Sequence, residues 1–172
     1  MKAYVLVAVL TLIFGVGCTS RQSEELTMQQ KDQIKSEVKV AAESIIAKFQ
    51  HMDWTGGLQF YANTPDWVMF NADGSQYDYQ TTAKSMSSLT DINNQSVTAY
   101  KWTTTRQDFI VITKDIVICA WVGKDEYTMK SGEKVTYDPH AYTMVFKKIN
   151  GQWKVIYQQD SGIAVTQKAG KK

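Results

Sequence analysis

The fold is decided by "YTMVFKKINGQWKVIYQQDSG", Tyr142 to Gly162, in which two strand-like segments flank Asn150-Gly151. Asn-Gly between such segments is the strongest short signal for a β-hairpin with a two-residue turn. The pattern predicts that Ile149 pairs with Gln152 and that successive pairs step outward from there. Along this hairpin the paired side chains change from apolar near the turn to polar at the far end.

Further turn signals at Lys114-Asp115 and Ser131-Gly132 predict two more long strands. Two-residue loops at every turn would place four rows of side chains on one face. The predicted rows, from the closed end outward, are Ile112, Val117, Phe146 and Val155; Ile110, Cys119, Met144 and Tyr157; Asp108, Trp121, Tyr142 and Gln159; Arg106, Gly123, His140 and Ser161. Apolar walls with polar groups at one end are typical of a small-molecule pocket. A bulge near Pro139 would exchange the faces of that strand.

Helical patterns precede these strands. Thr27 and Gln30 form a capping-box pattern, and apolar residues recur behind it at helical spacing from Ile34 to Met52. A second short helical segment is predicted at 53–62, a strand at 66–70 that ends in an Asp-Gly turn, and a third short helix at 80–92. Helices first and an antiparallel meander afterwards indicate an α+β fold.

The segment "LQFYANTPDWVMFNADG", residues 58–74, followed by the Tyr142–Gly162 hairpin, resembles the nuclear transport factor 2-like superfamily, with the SnoaL-like group of small bacterial domains as its nearest branch. The resemblance covers roughly Ile34 to Ser161. It implies a cone-shaped, curved antiparallel sheet wrapped by N-terminal helices, also described as a cystatin-like roll. This superfamily includes isomerases, dehydratases, cyclases, hydrolases, scaffolds and non-catalytic binders, so the fold does not name an activity.

Relatives in this branch often carry a histidine two residues before the serine that ends the last strand. Gln159 occupies that position before Ser161. A glutamine side chain cannot exchange a proton at useful pH, so a histidine mechanism at that position is not expected.

The predicted ligand-binding residues are Asp108, Trp121, His140, Tyr142, Tyr157 and Gln159. Asp108 is a possible general base, since aromatic walls would raise its pKa, but it would be an ordinary strand-end carboxylate if it meets water or Arg106. His140 is the other possible base, with Asp138 as its orienting partner, or else a partly exposed strand-end histidine. Asp160 is expected on the opposite face of the sheet.

Composition excludes several functions. A net charge of +2 is too small to suggest nucleic-acid binding. The chain has two histidines, no metal-ligand spacing and no glycine-rich phosphate loop, so neither a metal site nor a cofactor is predicted. Cys119 lies in an apolar strand and is interpreted as a packed core residue.

The N-terminus predicts a bacterial lipoprotein. Lys2 precedes the apolar run "AYVLVAVLTLIFGVG", residues 3–17, and small residues then lead to Cys18, as in a lipobox with an unusual Gly15. A plain secretory signal is the alternative. Lipid on Cys18 would anchor the protein in the cell envelope, with the outer membrane favoured, facing either the periplasm or the cell surface.

The predicted organisation is a signal peptide at 1–17, a polar tether at 18–26, one domain at 27–164 and a basic tail at 165–172. The leading functional hypothesis is a membrane-anchored domain that binds a small apolar or aromatic molecule. An enzyme of the same fold is the first alternative, performing proton transfer, dehydration or isomerisation with Asp108 or His140 as base. The second alternative is an interaction module with a filled cone, and a homodimer through the outer sheet face is expected.

Overall fold

The computed structural model describes residues 25–90 and 96–167. In these ranges the helices are α1 (Met28–Gln50), α2 (Trp54–Gly57, continued by a 3-10 turn at Leu58–Phe60) and α3 (Tyr79–Thr90). The strands are β1 (Val68–Phe70), β2 (Gln76–Asp78), β3 (Val97–Thr113), β4 (Ile116–Met129), β5 (Lys134–Ile149) and β6 (Gln152–Gln167). The predicted signal peptide, Cys18 and the last two residues of the predicted third helix lie outside the described residues.

The predicted long N-terminal helix is confirmed as α1, and its capping box is present. Thr27 Oγ1 accepts a hydrogen bond from the Gln30 backbone N–H at 3.2 Å, and Gln30 Oε1 accepts one from the Thr27 backbone N–H at 2.8 Å. One apolar stripe is buried in the core, made of Ile34, Val38, Ala42, Ile45 and Phe49. Within the described ranges, no helix has the length and apolarity needed to cross a membrane.

A polar contact fixes α1 to the β5–β6 hairpin. The Glu37 carboxylate accepts hydrogen bonds from Lys148 Nζ at 2.9 Å and from Trp153 Nε1 at 3.0 Å. The hydrogen bond from Lys148, followed by those from Trp153 and Gln33, lowers the pKa of Glu37 to about 2. The helix is therefore held against the closed end of the sheet by charge as well as by apolar packing.

The six strands form one curved, open sheet in the order β2-β1-β6-β5-β4-β3. β1 runs parallel to β6, whereas all other neighbouring pairs are antiparallel. Helices on the concave side and four long strands confirm the predicted α+β cone. Val117, Phe146 and Val155, from three neighbouring strands, are fully buried in the core cluster that also contains the apolar stripe of α1.

The register predicted between β4 and β5 is confirmed at four inner-face pairs, which are Val117–Phe146, Cys119–Met144, Trp121–Tyr142 and Gly123–His140. The expected irregularity near Pro139 is also present, because the β5–β6 pairing shifts between Tyr137 and His140. Beyond that shift, Tyr137 rather than Asp138 lines the hollow on the inner side of the sheet.

The predicted register of β3 is wrong. Val111, not Ile112, pairs with Val117, because an irregularity between Val111 and Thr113 adds one residue to β3 just before the turn. One extra residue exchanges the two faces of a strand. Asp108 therefore lies opposite Ala120 on the outer face, and Arg106, Ile110 and Ile112 are exposed with it.

The predicted register of β6 is correct at Ile149–Gln152 and Phe146–Val155 and wrong beyond them. A shift after Val155 places Gln158 opposite Met144 and Asp160 opposite Tyr142. As in β3, one extra residue reverses the faces. Tyr157, Gln159 and Ser161 consequently leave the inner face, and Asp160, expected outside, takes a place on the inner side.

The outer face of the sheet exposes several large apolar side chains, which are Ile110, Ile112, Ile163 and Val165. Exposed apolar patches often mark surfaces of association. The homodimer expected through this face stays a prediction.

Candidate functional site

A hollow lies between the helices and the concave face of the sheet. It consists of two adjoining cavities, of about 220 Å³ on the helix side and about 470 Å³ toward the β1–β2 turn. We call them the inner and the outer cavity. They share four lining residues, Asn71, Tyr127, Tyr142 and Asp160. The cone is therefore not filled by side chains, contrary to the filled-cone alternative.

The inner cavity is mainly apolar. Its walls include side chains from all three helices, among them Ile45, Phe49, Trp54, Met86 and Leu89. The outer cavity is bordered by the turn at Asn71–Ser75 and by the far ends of β4 and β5. The hollow thus has apolar walls deep under the helices and a polar mouth, the arrangement that small-molecule sites use.

Asp125 is the most completely buried carboxylate of the site, with no exposed surface. Its Oδ1 accepts a hydrogen bond from Tyr100 Oη at 2.6 Å, and its Oδ2 accepts one from Tyr142 Oη at 2.5 Å. Oδ2 also lies 2.5 Å from His140 Nδ1. A buried carboxyl group is tolerated only when its oxygens have such partners, and Tyr100, Tyr142 and His140 supply them here.

His140 is oriented by Asp125. A carboxylate only accepts hydrogen bonds, so Nδ1 of His140 carries the proton in this pair. The ring stacks on Tyr137, with centroids 4.8 Å apart, and contacts Tyr142 at 4.4 Å. Its Nε2 is buried and has no hydrogen-bond partner among the described residues. In the neutral ring this nitrogen holds a free lone pair.

Gly162 allows β6 to approach the imidazole. A Cβ at this position would lie 2.8 Å from His140 Cδ2, closer than real Cβ atoms come to their neighbours. The absence of a side chain at Gly162 therefore makes room for the ring.

The tyrosines around Asp125 are hydrogen-bond donors. Burial, reinforced by neighbouring tyrosines and by the charge of Asp125, raises the pKa of Tyr100, Tyr127 and Tyr142 far above the usual range. They stay protonated at any physiological pH. Such neutral hydroxyls can donate to a carboxylate or to a polar group of a ligand.

Asp160 is a second carboxylate on the hollow and has fewer partners. Tyr61 Oη donates to Gln158 Oε1 at 2.9 Å, and Gln158 Nε2 donates to Asp160 Oδ1 at 2.8 Å. Burial raises the pKa of Asp160 to about 6, although the hydrogen bond from Gln158 and the nearby His140 oppose the shift. This carboxyl therefore exchanges its proton close to neutral pH.

Three of the predicted site residues, Trp121, His140 and Tyr142, lie on the inner side of the sheet. His140 and Tyr142 are brought together at Asp125. Trp121 instead packs against Trp102, with ring centroids 5.7 Å apart, and lines neither of the two cavities. Trp121 belongs to the core beside the hollow.

The other three predicted residues, Asp108, Tyr157 and Gln159, line neither the inner nor the outer cavity. Asp108 is exposed and pairs with Arg106 at 2.5 Å, which is the ordinary interpretation considered from the sequence. Tyr157 Oη donates to Gln159 Oε1 at 3.0 Å on the outer face. Asp138, the predicted partner of His140, is exposed, and Asp125 occupies that role.

Sequence reasoning missed Asp125 and Asp160. A usable signal existed for Asp125, since it continues the inner-facing series of Trp121 and Gly123 at a spacing of two. No such signal existed for Asp160, because its orientation depends on the shift in β6.

The described ranges contain no group of three or more histidine, cysteine, aspartate or glutamate side chains placed to hold a metal ion. Cys119 is fully buried, and burial raises the pKa of its thiol to about 12. A thiol that stays protonated is a poor nucleophile.

Solved structures similar to this chain share its fold at low sequence identity. A scytalone dehydratase-like protein from Novosphingobium aromaticivorans superposes with a TM-score of 0.71 at 7% identity, over 85% of this chain and 94% of that one. A nuclear transport factor 2-like superfamily protein from Salmonella enterica gives 0.65 at 14% identity, over 78% and 94%. A hexachlorocyclohexane dehydrochlorinase, LinA type 2, gives 0.67 at 8%, over 84% and 95%.

These similarities establish the nuclear transport factor 2-like fold predicted from the sequence. No curated protein matches the chain. One family model, described as a protein of unknown function (DUF3804), matches residues 36–167, which is most of the chain. The protein therefore belongs to the DUF3804 family and has the nuclear transport factor 2-like fold.

Proposed function

We propose that this domain binds a small, largely apolar molecule in the hollow between its helices and its sheet. The observation that carries the proposal is the pair of adjoining cavities, in which apolar walls converge on the polar groups of Asn71, Tyr127, Tyr142 and Asp160. Cavities of this size and composition are characteristic of small-molecule sites.

Two buried nitrogens on the lining support the same proposal. His140 Nε2 and Trp54 Nε1 have no hydrogen-bond partner among the described residues. Buried polar groups in native proteins are nearly always paired, with protein, water or ligand. A ligand with one or two polar groups would satisfy them.

The proposal is tested by native mass spectrometry of the full-length protein purified from its host. The wild type is expected to carry a non-covalent small molecule. Met86→Trp, which places an indole in the inner cavity, is expected to lose it. Met28→Trp is the matched control, because Met28 is 68% exposed on α1, and it should retain the molecule. Equal retention by both variants, or no bound molecule in the wild type, contradicts the proposal.

A second candidate function is proton-transfer catalysis with His140 as the base. The favouring observation is the Asp125–His140 pair, in which Nδ1 is held and Nε2 is free. Nε2 would take a proton from the bound molecule, and Asp125 would stabilise the resulting imidazolium. Two of the similar structures are named for a dehydratase and a dehydrochlorinase, both elimination enzymes, which fits a base in this position.

The His140→Gln variant distinguishes the binding function from the enzymatic one. In an enzyme this variant should lose turnover while ligand retention stays close to that of the wild type. In a binder there is no turnover to lose. The SnoaL-like branch remains our proposal for the nearest relatives, and anchoring through lipid on Cys18 remains our proposal for its place in the cell envelope.

A further inference from the structure

The charged side chains on and beside the lining of the hollow are mainly carboxylates. Asp73 and Asp160 line the cavities, and Asp125 is buried beside them. Among the described residues that line either cavity there is no lysine or arginine, and His140 is the one basic side chain. A carboxylate or phosphate ligand would meet like charges and would find no guanidinium or ammonium to bind.

The two carboxylates beside the hollow, Asp125 and the partly buried Asp160, differ in their number of hydrogen-bond donors. Asp125 has three donors, from Tyr100, His140 and Tyr142. In the part of the chain that the structure describes, Asp160 has one, from Gln158. An ionised carboxylate that is partly desolvated and has a single donor is costly without a cation nearby. Asp160 is therefore the group that a positively charged ligand would stabilise most.

Aromatic side chains surround the same point. Tyr127 and Tyr142 line both cavities together with Asp160, and Tyr61, Tyr100 and Trp54 line the inner one. Aromatic rings attract organic cations through their quadrupoles, and the attraction grows when water is excluded. Aromatic rings and one under-compensated carboxylate are the two elements of an ammonium-binding site.

We propose that the ligand is a small organic cation, in which a protonated amine pairs with Asp160 and the apolar part occupies the inner cavity. This inference rests on the proposed function, because it names the class of molecule that the same hollow binds. The free lone pair of His140 Nε2 is the natural second acceptor for an ammonium N–H, provided that the ring is neutral.

The inference predicts pH-dependent binding. The polar and titratable groups that face Asp160 are His140, Asp125, Gln158 and the neutral tyrosines Tyr61, Tyr127 and Tyr142. As pH falls through about 6, Asp160 gains a proton and loses its negative charge. This loss weakens the binding of a cation, so affinity should fall about tenfold between pH 7.5 and pH 5.

The test compares three probes with one skeleton: 2-phenylethylamine, 2-phenylethanol and phenylacetate. Calorimetry on the full-length protein at pH 7.5 should show the amine binding about tenfold or more tightly than the alcohol, with phenylacetate weakest. Asp160→Asn should weaken the amine about tenfold and leave the alcohol within about twofold. Asp32→Asn, at an exposed carboxylate on α1, is the charge-matched control and should change neither affinity.

The outcomes separate this inference from the proposed function. Equal affinities for the amine and the alcohol, or a preference for phenylacetate, contradict the inference that the ligand is a cation. They do not contradict the proposal that the hollow binds a small molecule. Failure of the amine to bind also contradicts the cation inference. Native mass spectrometry of the host-purified protein tests separately whether the hollow binds a small molecule at all. If Asp160→Asn does not fold, the pH dependence of amine binding to the wild-type protein is the test. An amine affinity that is unchanged between pH 7.5 and pH 5 contradicts the inference.

Discussion

His140 Nδ1 lies 2.5 Å from Oδ2 of Asp125, and both residues are buried under the concave face of the sheet. They come from neighbouring strands, and their side chains meet because His140 pairs with Gly123, two residues from Asp125 on the same face of β4. The contact fixes one nitrogen of the imidazole and leaves the other free. The second candidate function, proton transfer by His140, depends on that arrangement.

Asp125→Asn should destabilise the fold strongly. An asparagine keeps the volume but loses the charge that Tyr100, His140 and Tyr142 compensate, and its amide presents donors to donors. Removing one member of a buried network of this kind costs about 3 kcal/mol. Urea denaturation at pH 7 measures the loss. Asp108→Asn is the matched control on the outer face and should change stability by less than about 0.5 kcal/mol. Similar effects of both substitutions would contradict the buried network.

Asp160→Asn should gain stability relative to the wild type as pH rises. Burial raises the pKa of Asp160 to about 6 from an ordinary 3.8, so the folded state binds the proton more tightly than the unfolded state. Wild-type stability from this group is therefore complete below pH 4 and is lost between about pH 4 and pH 6. The asparagine, which does not titrate, avoids a cost of about 3 kcal/mol above that window.

Thermal unfolding of both proteins at pH 3.5 and pH 7.5 measures this difference. Gln158 can still donate to the asparagine oxygen, so the hydrogen bond itself is not lost. A stability difference that does not change with pH would show that Asp160 is not held at a raised pKa.

Glu37→Gln should weaken the attachment of α1 to the β5–β6 hairpin. The hydrogen bonds from Lys148 and Trp153 lower the pKa of Glu37 to about 2, so its stabilisation is complete above pH 4.5 and disappears as pH falls toward 2. Its carboxylate is one-third exposed, which reduces the expected loss to about 1 kcal/mol at pH 7.

Denaturation at pH 7 and pH 3 measures this loss, which should be smaller at the lower pH. Glu43→Gln is the control on the same helix, because Glu43 is exposed and pairs only loosely with Lys39, at 3.7 Å. A loss for Glu43→Gln as large as that for Glu37→Gln would mean that the contact with the hairpin contributes nothing specific.

Cys18→Ala should abolish lipidation. Residues 1–24 lie outside the described part of the chain, so this prediction depends on the apolar leader and the small residues before Cys18. Metabolic labelling with a fatty acid, followed by membrane fractionation, is the measurement. The wild type should carry label and sediment with membranes, and the variant should carry none. Label in neither protein would indicate a plain secretory signal.

The sheet shows which part of such a fold can be predicted from sequence. The Asn150-Gly151 turn gave the correct pairing of Ile149 with Gln152 and of Phe146 with Val155. Hairpin register follows from turn chemistry and alternation, which are local properties. The long N-terminal helix followed from periodicity in the same way, whereas the curved sheet was implied by the family resemblance.

The site was predicted only in part because strand irregularities are not local signals. One shift in β3 turned Asp108 outward, and one in β6 turned Asp160 inward in place of Gln159. The positions of such bulges depend on the curvature of the whole sheet and not on the local sequence alone. Asp125 was missed for another reason, since a charged residue in a strand is ordinarily expected in solvent unless its partners are known.

The most direct test of the account is a crystal structure of the protein purified from its host with its small molecules retained. The account predicts continuous non-protein density in the hollow, in contact with Tyr142 and Asp160 and reaching toward the inner cavity under α3. A hollow that contains only water, or one closed by collapse of Tyr127 and Met86 into it, would contradict the central claim that this domain binds a small molecule there.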